Sequence, residues 1–409
     1  MINLDEYFGT EENLRVLFAG GGTGGHLMPG AAVAKAIKEM SPEAQCKFMI
    51  THRDSNHPCS KAIDGFPTIE MPAARWRGLL NKPRFAWTGL GAMGKALDVF
   101  RSFRPQVVVG LGGYSCVAPL ILARLLGIRT MLFEGNAIPG RVVRVLAPLV
   151  DCVQVQWEVT ADRLNARSIL LSGNPIRREI LEANPIKARH RLGLHPNLTT
   201  LLVMGGSQGA FALNLLIAGA LEVLANSDLI PSGSLQVLHL TGPNNFEDAL
   251  RTMPPTGITY CPVAFMHRIG EAYAAADFVL ARAGASTIAE LLATGRPSIL
   301  VPYPHATENH QHANAGAVRD AGAALVRAQS NFTVHSLAGL IAELTNSPQT
   351  LAKMSRSARA IARPLAAFRV AGRIAEMSHV TSQEQETHTA VRKIHTLTSA
   401  KTVTVSKAA

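Results

Sequence analysis

Three short stretches of the 409-residue chain put glycine and hydroxyl side chains at spacings that suit a phosphate group. The first, Gly20–His26 (GGGTGGH), formally satisfies GxGxxG through Gly20, Gly22 and Gly25. Glycines let backbone N–H groups approach an anion, and a helix N-terminus behind them adds partial positive charge. A tight turn with positive φ explains one or two of these glycines, not five of six positions. Gly112–Cys116 (GGYSC) and Gly205–Ala210 (GGSQGA) repeat the device, so more than one phosphorylated ligand is expected. His26 closes the first loop. A lone histidine is often only a structural hydrogen-bonder, yet a neutral imidazole at this position is also placed to act as a general base. A dinucleotide site would need an acid at the end of the second strand for the ribose diol. The chain reads Thr51-His52-Arg53 there, with Asp54 late, which argues against a nicotinamide-dependent oxidoreductase.

The segment Ala281–Ala315 (ARAGASTIAELLATGRPSILVPYPHATENHQHANA) reads as strand end, loop, helix, strand and polar loop, and it is the expected donor site. The helix is expected to start at Ser286 or Thr287 and to stop at Gly295, before Pro297. Glu290 has two readings. It completes a capping box with Thr287, or its two oxygens accept hydrogen bonds from a ribose diol while the helix N-terminus faces a diphosphate. His305, His310 and His312 match no standard metal-site spacing, so no metal is expected. The polar loop with Glu308, Asn309, His310 and Gln311 suits recognition of sugar hydroxyls.

The elements that must hold these residues follow a repeating pattern: a short aliphatic run, a glycine turn, then a helical period. Arg15–Gly20, Gln106–Leu111, Arg129–Phe133, Cys152–Gln156 and Ser168–Leu171 are strand candidates in the first half. At Thr199 the pattern restarts with LLVMGGSQGA and the helix Phe211–Ala225. This alternation predicts an α/β fold: two Rossmann-like domains with parallel sheets facing a deep cleft. Residues 1–173 are expected to form the first domain and 174–362 the second, with a final helix over 363–377 packing back toward the first domain and a disordered tail over 378–409.

A hydrophobic fraction of 47% supports two cores. The five scattered cysteines point to buried thiols in a reducing compartment rather than a disulfide framework. The acidic N-terminus lacks the apolar run of a signal peptide, and the best apolar run, VAPLILARLLG, is cut by Arg124. A cytoplasmic protein is therefore expected, one able to touch a membrane. The formal charge is +11. Between Arg75 and Arg104, Arg75, Arg77, Lys82, Arg84, Lys95, Arg101 and Arg104 face one acid, Asp98. Such a block implies an anionic partner.

Taken in order, GGTGGH, GGYSC, EGNAIPG, GNPIR, GGSQGA, RAGASTIAE and HQ..NA resemble the bacterial UDP-N-acetylglucosamine–N-acetylmuramyl-(pentapeptide) pyrophosphoryl-undecaprenol N-acetylglucosamine transferases over about Arg15 to Ala315. The resemblance implies a GT-B fold and inverting transfer of GlcNAc from UDP-GlcNAc to the MurNAc C4 hydroxyl of lipid I, giving lipid II for peptidoglycan. It implies no cofactor. It places Thr23, Gly24 and Gly25 beside a donor or acceptor diphosphate, with His26 as the proposed base and Asn136 at the sugar or acceptor. Arg177 and Ser207 would meet the UDP portion, and Met266 the uracil through its backbone. Ala285, Ser286, Thr287, Ile288, Ala289 and Glu290 would hold diphosphate and ribose, and Gln311 the GlcNAc hydroxyls. Two departures stand out: Glu134-Gly135-Asn136 replaces a frequent Glu-Gln-Asn, and His310 stands where a second Gln sometimes occurs.

Because lipid I lies in a membrane, the resemblance also implies a peripheral enzyme on the cytoplasmic face of the inner membrane. Arg75, Trp76, Arg77, Leu79, Leu80, Lys82, Arg84, Phe85 and Trp87 interleave cations with apolar side chains, as a surface lying on anionic lipid does. An ordinary solvated face with aromatic core residues is the other reading of that stretch. Another GT-B enzyme, such as a glycolipid glycosyltransferase or a UDP-GlcNAc 2-epimerase, is the nearest alternative. A basic nucleic-acid-binding protein would explain the charge but not three glycine loops, and no nucleic-acid partner is expected.

Overall fold

Short runs of wholly buried aliphatic residues, too apolar for a sheet with one face in water, form parallel strands covered on both sides. The computed structural model of the protein describes residues 13–21, 24–72, 82–251 and 257–379. In the first half, β1 (Arg15–Ala19), β2 (Gln45–Thr51), β3 (Thr68–Met71), β4 (Val107–Gly110), β5 (Arg129–Glu134), β6 (Cys152–Val155) and β7 (Ile169–Leu171) form one sheet in the order β3-β2-β1-β4-β5-β6-β7. In the second half, β8 (Thr199–Met204), β9 (Leu235–Leu240), β10 (Thr259–Val263), β11 (Phe278–Ala281), β12 (Ser298–Leu300) and β13 (Ala324–Val326) form another, ordered β10-β9-β8-β11-β12-β13. Every pairing is parallel. The two Rossmann-like α/β sheets expected from the repeating pattern are therefore present. Each strand candidate of the first half is found, with ends shifted by a residue or so.

The longer helices are α1 (Gly24–Met40), α2 (Lys82–Phe103), α3 (Val117–Leu125), α4 (Phe211–Ala225), α5 (Ala285–Thr294), α6 (His310–Asp320), α7 (Val334–Asn346), α8 (Pro348–Ile361) and α9 (366–379). Alternation along the strands assigns residues to faces. Val16 and Phe18 of β1 join the core under α1, whereas Leu17 and Ala19 join the core under α2 and α3. Leu201 and Val203 of β8 pack with α4 and α7, and Leu202 and Met204 with α5. Helix α9 follows the second sheet in sequence, yet Ala367, Val370, Ala371 and Ile374 lie in the core of the first, beside Phe18 and Ile37. It runs through Ser378, which is buried and bonded to the Ala375 carbonyl, and on to residue 379. The start of the tail expected at 378 therefore falls inside a helix, and residues 380–409 lie outside the described residues.

Both sheets reverse strand order beside their first strand, at β1/β4 and at β8/β11, the positions where open α/β sheets bind ligands. The glycine turns sit at these points. Gly20 has φ 115° and donates to the Met49 carbonyl at 3.0 Å. A Cβ there would stand 3.0 Å from both the Gly112 oxygen and the Cys116 Cβ, so only glycine lets the turns after β1 and β4 meet. Among the described residues, no helix is long and apolar enough to cross a membrane.

Candidate functional site

The carboxyl ends of the two sheets face each other across a cleft of about 1750 Å³. On the first half its wall starts with His26, in the first turn of α1. The ring donates to the Gly21 carbonyl, and burial holds its pKa below the usual histidine value, with the Asp54 charge pulling the other way. A neutral imidazole at pH 7 follows. The Nδ1 edge lies toward Gly113 and the Nε2 edge against Gly112, where any Cβ would crowd it at 3.3 Å.

The turn after β5 is tied by Glu134. Its carboxylate accepts from the Asn136 amide and Asn136 Nδ2, both at 2.9 Å, and from the Gly140 amide at 2.8 Å. Burial pushes the Glu134 pKa up, and these three bonds oppose the shift. Asn136 Oδ1 then accepts from Asn314 Nδ2 of α6 at 3.0 Å, and Asn314 Oδ1 accepts from the Ala137 amide at 2.8 Å. Both ends of the Asn136 carboxamide are thus committed to protein partners, and the pair bridges the two halves. Glu134→Ala strands three donors in a half-buried turn, each stranded group costing about 1 kcal/mol or more. Denaturant unfolding should show a loss of about 2–3 kcal/mol from that count; an unchanged midpoint would mean that the turn holds without its carboxylate.

On the second half, α5 begins at Ala285 with Gly284 as its N-cap and no side-chain cap, and ends at Gly295 with φ 66°. The expected start at Ser286 or Thr287 was one or two residues late. That shift removes the capping-box reading, because Glu290 lies too far into the helix to reach back to its cap. Instead Glu290 is buried, takes a 2.8 Å bond from the Tyr273 hydroxyl, and lines the cleft. Burial raises its pKa, while the Arg177 guanidinium and the Tyr273 hydroxyl hold it down. Arg177 is nearly buried, 3.6 Å from Glu179, and its Nε has no hydrogen-bond partner among the described residues.

The expected ligand residues converge with few exceptions. Gly25, His26, Asn136, Arg177, Ser207, Met266, Ala285, Ser286, Thr287, Glu290 and Gln311 all line the cleft. Ile288 and Ala289 do not. Helical periodicity turns Ile288 into the core beside Leu291, and Ala289 toward a smaller cavity bordered by Trp157 and Ile361. Thr23 lies outside the described residues, and Gly24 is the first residue of α1. Of the proposed membrane-contact residues, Arg75, Trp76, Arg77, Leu79 and Leu80 lie outside the described residues; Lys82, Arg84, Phe85 and Trp87 fall on α2, where no side-chain placement is described. Gln311 Oε1 accepts from the Tyr303 amide at 2.9 Å. His310 Nδ1 contacts the Thr307 carbonyl at 2.6 Å, and the His305 ring stands edge-on to Tyr303.

Several bonds cross the cleft. Ser286 Oγ donates to the Gly25 carbonyl at 3.1 Å, and His57 Nε2 lies 3.4 Å from Ser207 Oγ. Arg141 and Arg144 both reach Glu308, whose φ of 52° is followed by 57° at Asn309. Gly135 occupies a close approach: a Cβ there would stand 3.0 Å from the Ala285 Cβ and 3.2 Å from Asn174 Oδ1. The departure from Glu-Gln-Asn thus lets the two halves touch where a side chain would separate them. Tyr273, Asn314 and Arg282 were not singled out from the sequence, and Asp54 entered only as an acid too late for a ribose diol. Asn314 and Arg282 sit inside HQ..NA and RAGASTIAE, so the motifs carried them; Tyr273 had no local signal. Arg282 is buried, donates to the Val301 carbonyl at 3.1 Å and Gln329 at 2.6 Å, and reaches the cleft wall.

Comparison with known proteins agrees with this architecture. Residues 16–155 match the glycosyltransferase family 28 N-terminal domain and residues 200–369 its C-terminal domain. A UDP-N-acetylglucosamine–N-acetylmuramyl-(pentapeptide) pyrophosphoryl-undecaprenol N-acetylglucosamine transferase of Desulforudis audaxviator is 37% identical over 86% of this chain and 95% of its own. Its namesake from Moorella thermoacetica is 36% identical over the same shares. The crystal structure of Acinetobacter baumannii MurG superposes with a TM-score of 0.70 at 27% identity, covering 89% of this chain and 99% of that one. A putative UDP-N-acetylglucosamine 2-epimerase from Listeria monocytogenes, at 12% identity and a TM-score of 0.63 over 90% of this chain and 97% of that one, shares the fold alone.

Proposed function

The chain belongs to the family of UDP-N-acetylglucosamine–N-acetylmuramyl-(pentapeptide) pyrophosphoryl-undecaprenol N-acetylglucosamine transferases, within glycosyltransferase family 28, and from that premise we infer that it makes lipid II. The enzyme has the GT-B fold and transfers GlcNAc from UDP-GlcNAc to the C4 hydroxyl of MurNAc on lipid I, with inversion at the anomeric carbon. The observation that carries the assignment is the ordered set of motifs at both switch points, on one cleft, over nearly the whole length of the relatives.

In the reading we propose, UDP-GlcNAc lies along the second sheet. The N-terminus of α5 and the Gly205–Ala210 turn face its diphosphate, where backbone N–H groups and the helix dipole favour the charge that grows on departing UDP. Glu290 accepts from the ribose diol beside Arg177, Met266 meets the uracil, and Gln311 the GlcNAc hydroxyls. His26 faces the donor from the first half. Its neutral ring accepts the proton of the MurNAc C4 hydroxyl as that oxygen attacks the anomeric carbon in line with the leaving phosphate. Asn136 acts through Asn314, fixing the distance between the halves.

The acceptor's lipid tail needs the first half to lie on a membrane, at the cytoplasmic face. The basic block from Arg75 to Arg104 supports that reading, as do Leu125 and Leu126, which are 72% and 51% exposed beside Arg124. Co-sedimentation should favour anionic vesicles over neutral ones and weaken as salt rises, each nearby cation adding about 1 kcal/mol. Equal binding to both lipids would remove the anionic surface as a partner. Oligonucleotide binding that UDP-GlcNAc leaves untouched would instead revive the nucleic-acid alternative.

The deciding experiment supplies UDP-GlcNAc and a short-chain lipid I analogue, and follows UDP and disaccharide. Stoichiometric release of UDP with a new β-linked GlcNAc is expected. Epimerised UDP-sugar without transfer, or transfer only to other glycolipids, would overturn the assignment.

A further inference from the structure

We propose that Asp54 is a positioning residue for His26, its charge packed against the Gly21 peptide to whose carbonyl the ring donates. The proposal rests on His26 being the base.

Asp54 follows β2 and is 3% exposed. Its Oδ2 is fixed by Thr51, which donates its amide at 3.2 Å and its hydroxyl at 2.7 Å. From there the carboxylate presses on the first glycine turn. A Cβ on Gly21, whose φ is 154°, would stand 2.4 Å from Oδ2 and 2.7 Å from Cγ. No side chain other than hydrogen fits at that position while Asp54 stays where it is.

The other side of the same residue carries His26. The imidazole donates to the Gly21 carbonyl. That carbonyl in turn lies 2.8 Å from where a Cβ on Gly113 would be, while Nδ1 lies 3.9 Å from that point. The bond to Gly21 therefore engages the Nδ1 edge and leaves Nε2 as the acceptor, the tautomer that proton abstraction needs. A carboxylate locked by Thr51 on one side, a glycine in the middle and an imidazole on the other form a short relay of packing and charge. Among the described residues, the titratable groups that act on the ring are Asp54, from the turn after β2, and His310, from the start of α6. Gly112 and Gly113 of the turn after β4 present only backbone to it. Asp54 favours the protonated ring, and burial and His310 oppose it. Asp54 thus offsets part of the effect of burial and keeps the ring basic enough to take a proton.

A purely structural role, capping the short turn 52–55, would survive in Asp54→Asn. The amide oxygen of that variant still accepts from both Thr51 groups, and only the charge is lost. The test uses the full-length protein with its histidines isotopically labelled. It records the His26 imidazole titration by NMR, kcat and KM for UDP-GlcNAc across pH, and the unfolding midpoint. Without the nearby negative charge, the His26 titration and the acid limb of kcat should both move to lower pH. The plateau kcat should fall roughly three- to tenfold as the base weakens, with KM for UDP-GlcNAc within about twofold, the span expected when donor contacts are intact. An unmoved His26 titration overturns the proposal, whatever happens to the unfolding midpoint. A moved titration with an unmoved acid limb upholds the link between Asp54 and His26, and it assigns the failure to His26 as base.

Discussion

Glu290→Ala is expected to weaken UDP-GlcNAc binding by about 2 kcal/mol, roughly thirtyfold in Kd, on the scale of hydrogen bonds made to a charged acceptor. The expectation follows from where α5 begins. With Gly284 as the N-cap, Glu290 has no capping duty. It sits buried on the cleft wall with one carboxylate oxygen held by Tyr273. Burial pushes its pKa up and the Arg177 guanidinium opposes that push, an arrangement that costs stability unless the carboxyl is used. Titration calorimetry on the variant measures the loss directly. The variant will also unfold earlier, because the buried Tyr273 hydroxyl loses its acceptor, at about 1–3 kcal/mol. Tyr273→Phe separates the two effects, since it removes the hydrogen bond and keeps the carboxylate. It should leave donor affinity close to wild type. If Glu290→Ala lowers only the unfolding midpoint, Glu290 is a packing partner of Tyr273 and no ribose ligand.

His26→Ala is expected to lower kcat by about 10²- to 10⁴-fold, the range for a positioned general base, with donor affinity nearly unchanged. Its pH dependence has a definite sign. Burial places the folded pKa below the ordinary 6.5, so the ring is already neutral at pH 7 and is the competent form there. Turnover should hold as pH falls through 6.5 and drop only as the lower folded pKa is crossed. Stability changes in the same direction. The unfolded chain binds that proton more readily, so acidification below 6.5 draws the equilibrium toward unfolding. Wild-type turnover in His26→Ala would remove the residue from the mechanism.

Much of this arrangement was legible in the sequence because it obeys local rules. Parallel buried strands announce themselves as aliphatic runs, and the glycine turns mark their carboxyl ends, so the two sheets and the cleft between them followed. The strand, helix, strand and polar loop of the expected donor segment Ala281–Ala315 were legible for the same reason. What local rules could not reach were contacts made at long sequence separation. Asn136 was expected at the ligand, yet its carboxamide is held by Glu134 and by Asn314, 178 residues away. Tyr273 meets Glu290 only because two helices pack side by side on one face of the second sheet. The capping box at Thr287 was a sound local pattern, overruled when Gly284 and Ala285 took the helical start. Ile288 and Ala289, expected with the rest of the motif, turn their side chains away from the cleft, because a helix offers only part of its circumference to one face.

The return of α9 to the first half has a mechanical consequence. The chain passes between the halves twice, once after β7 and once before α9, and the two passages lie against each other. Gly173, at φ 86°, is packed so tightly on Arg363 that a Cβ there would stand 2.6 Å from the Arg363 Cβ. A pair of adjoining straps resists twist and shear far better than a single tether does, while still allowing the faces to swing. The two adjoining passages constrain the halves against each other, and the Gly173–Arg363 contact is the point about which they would turn.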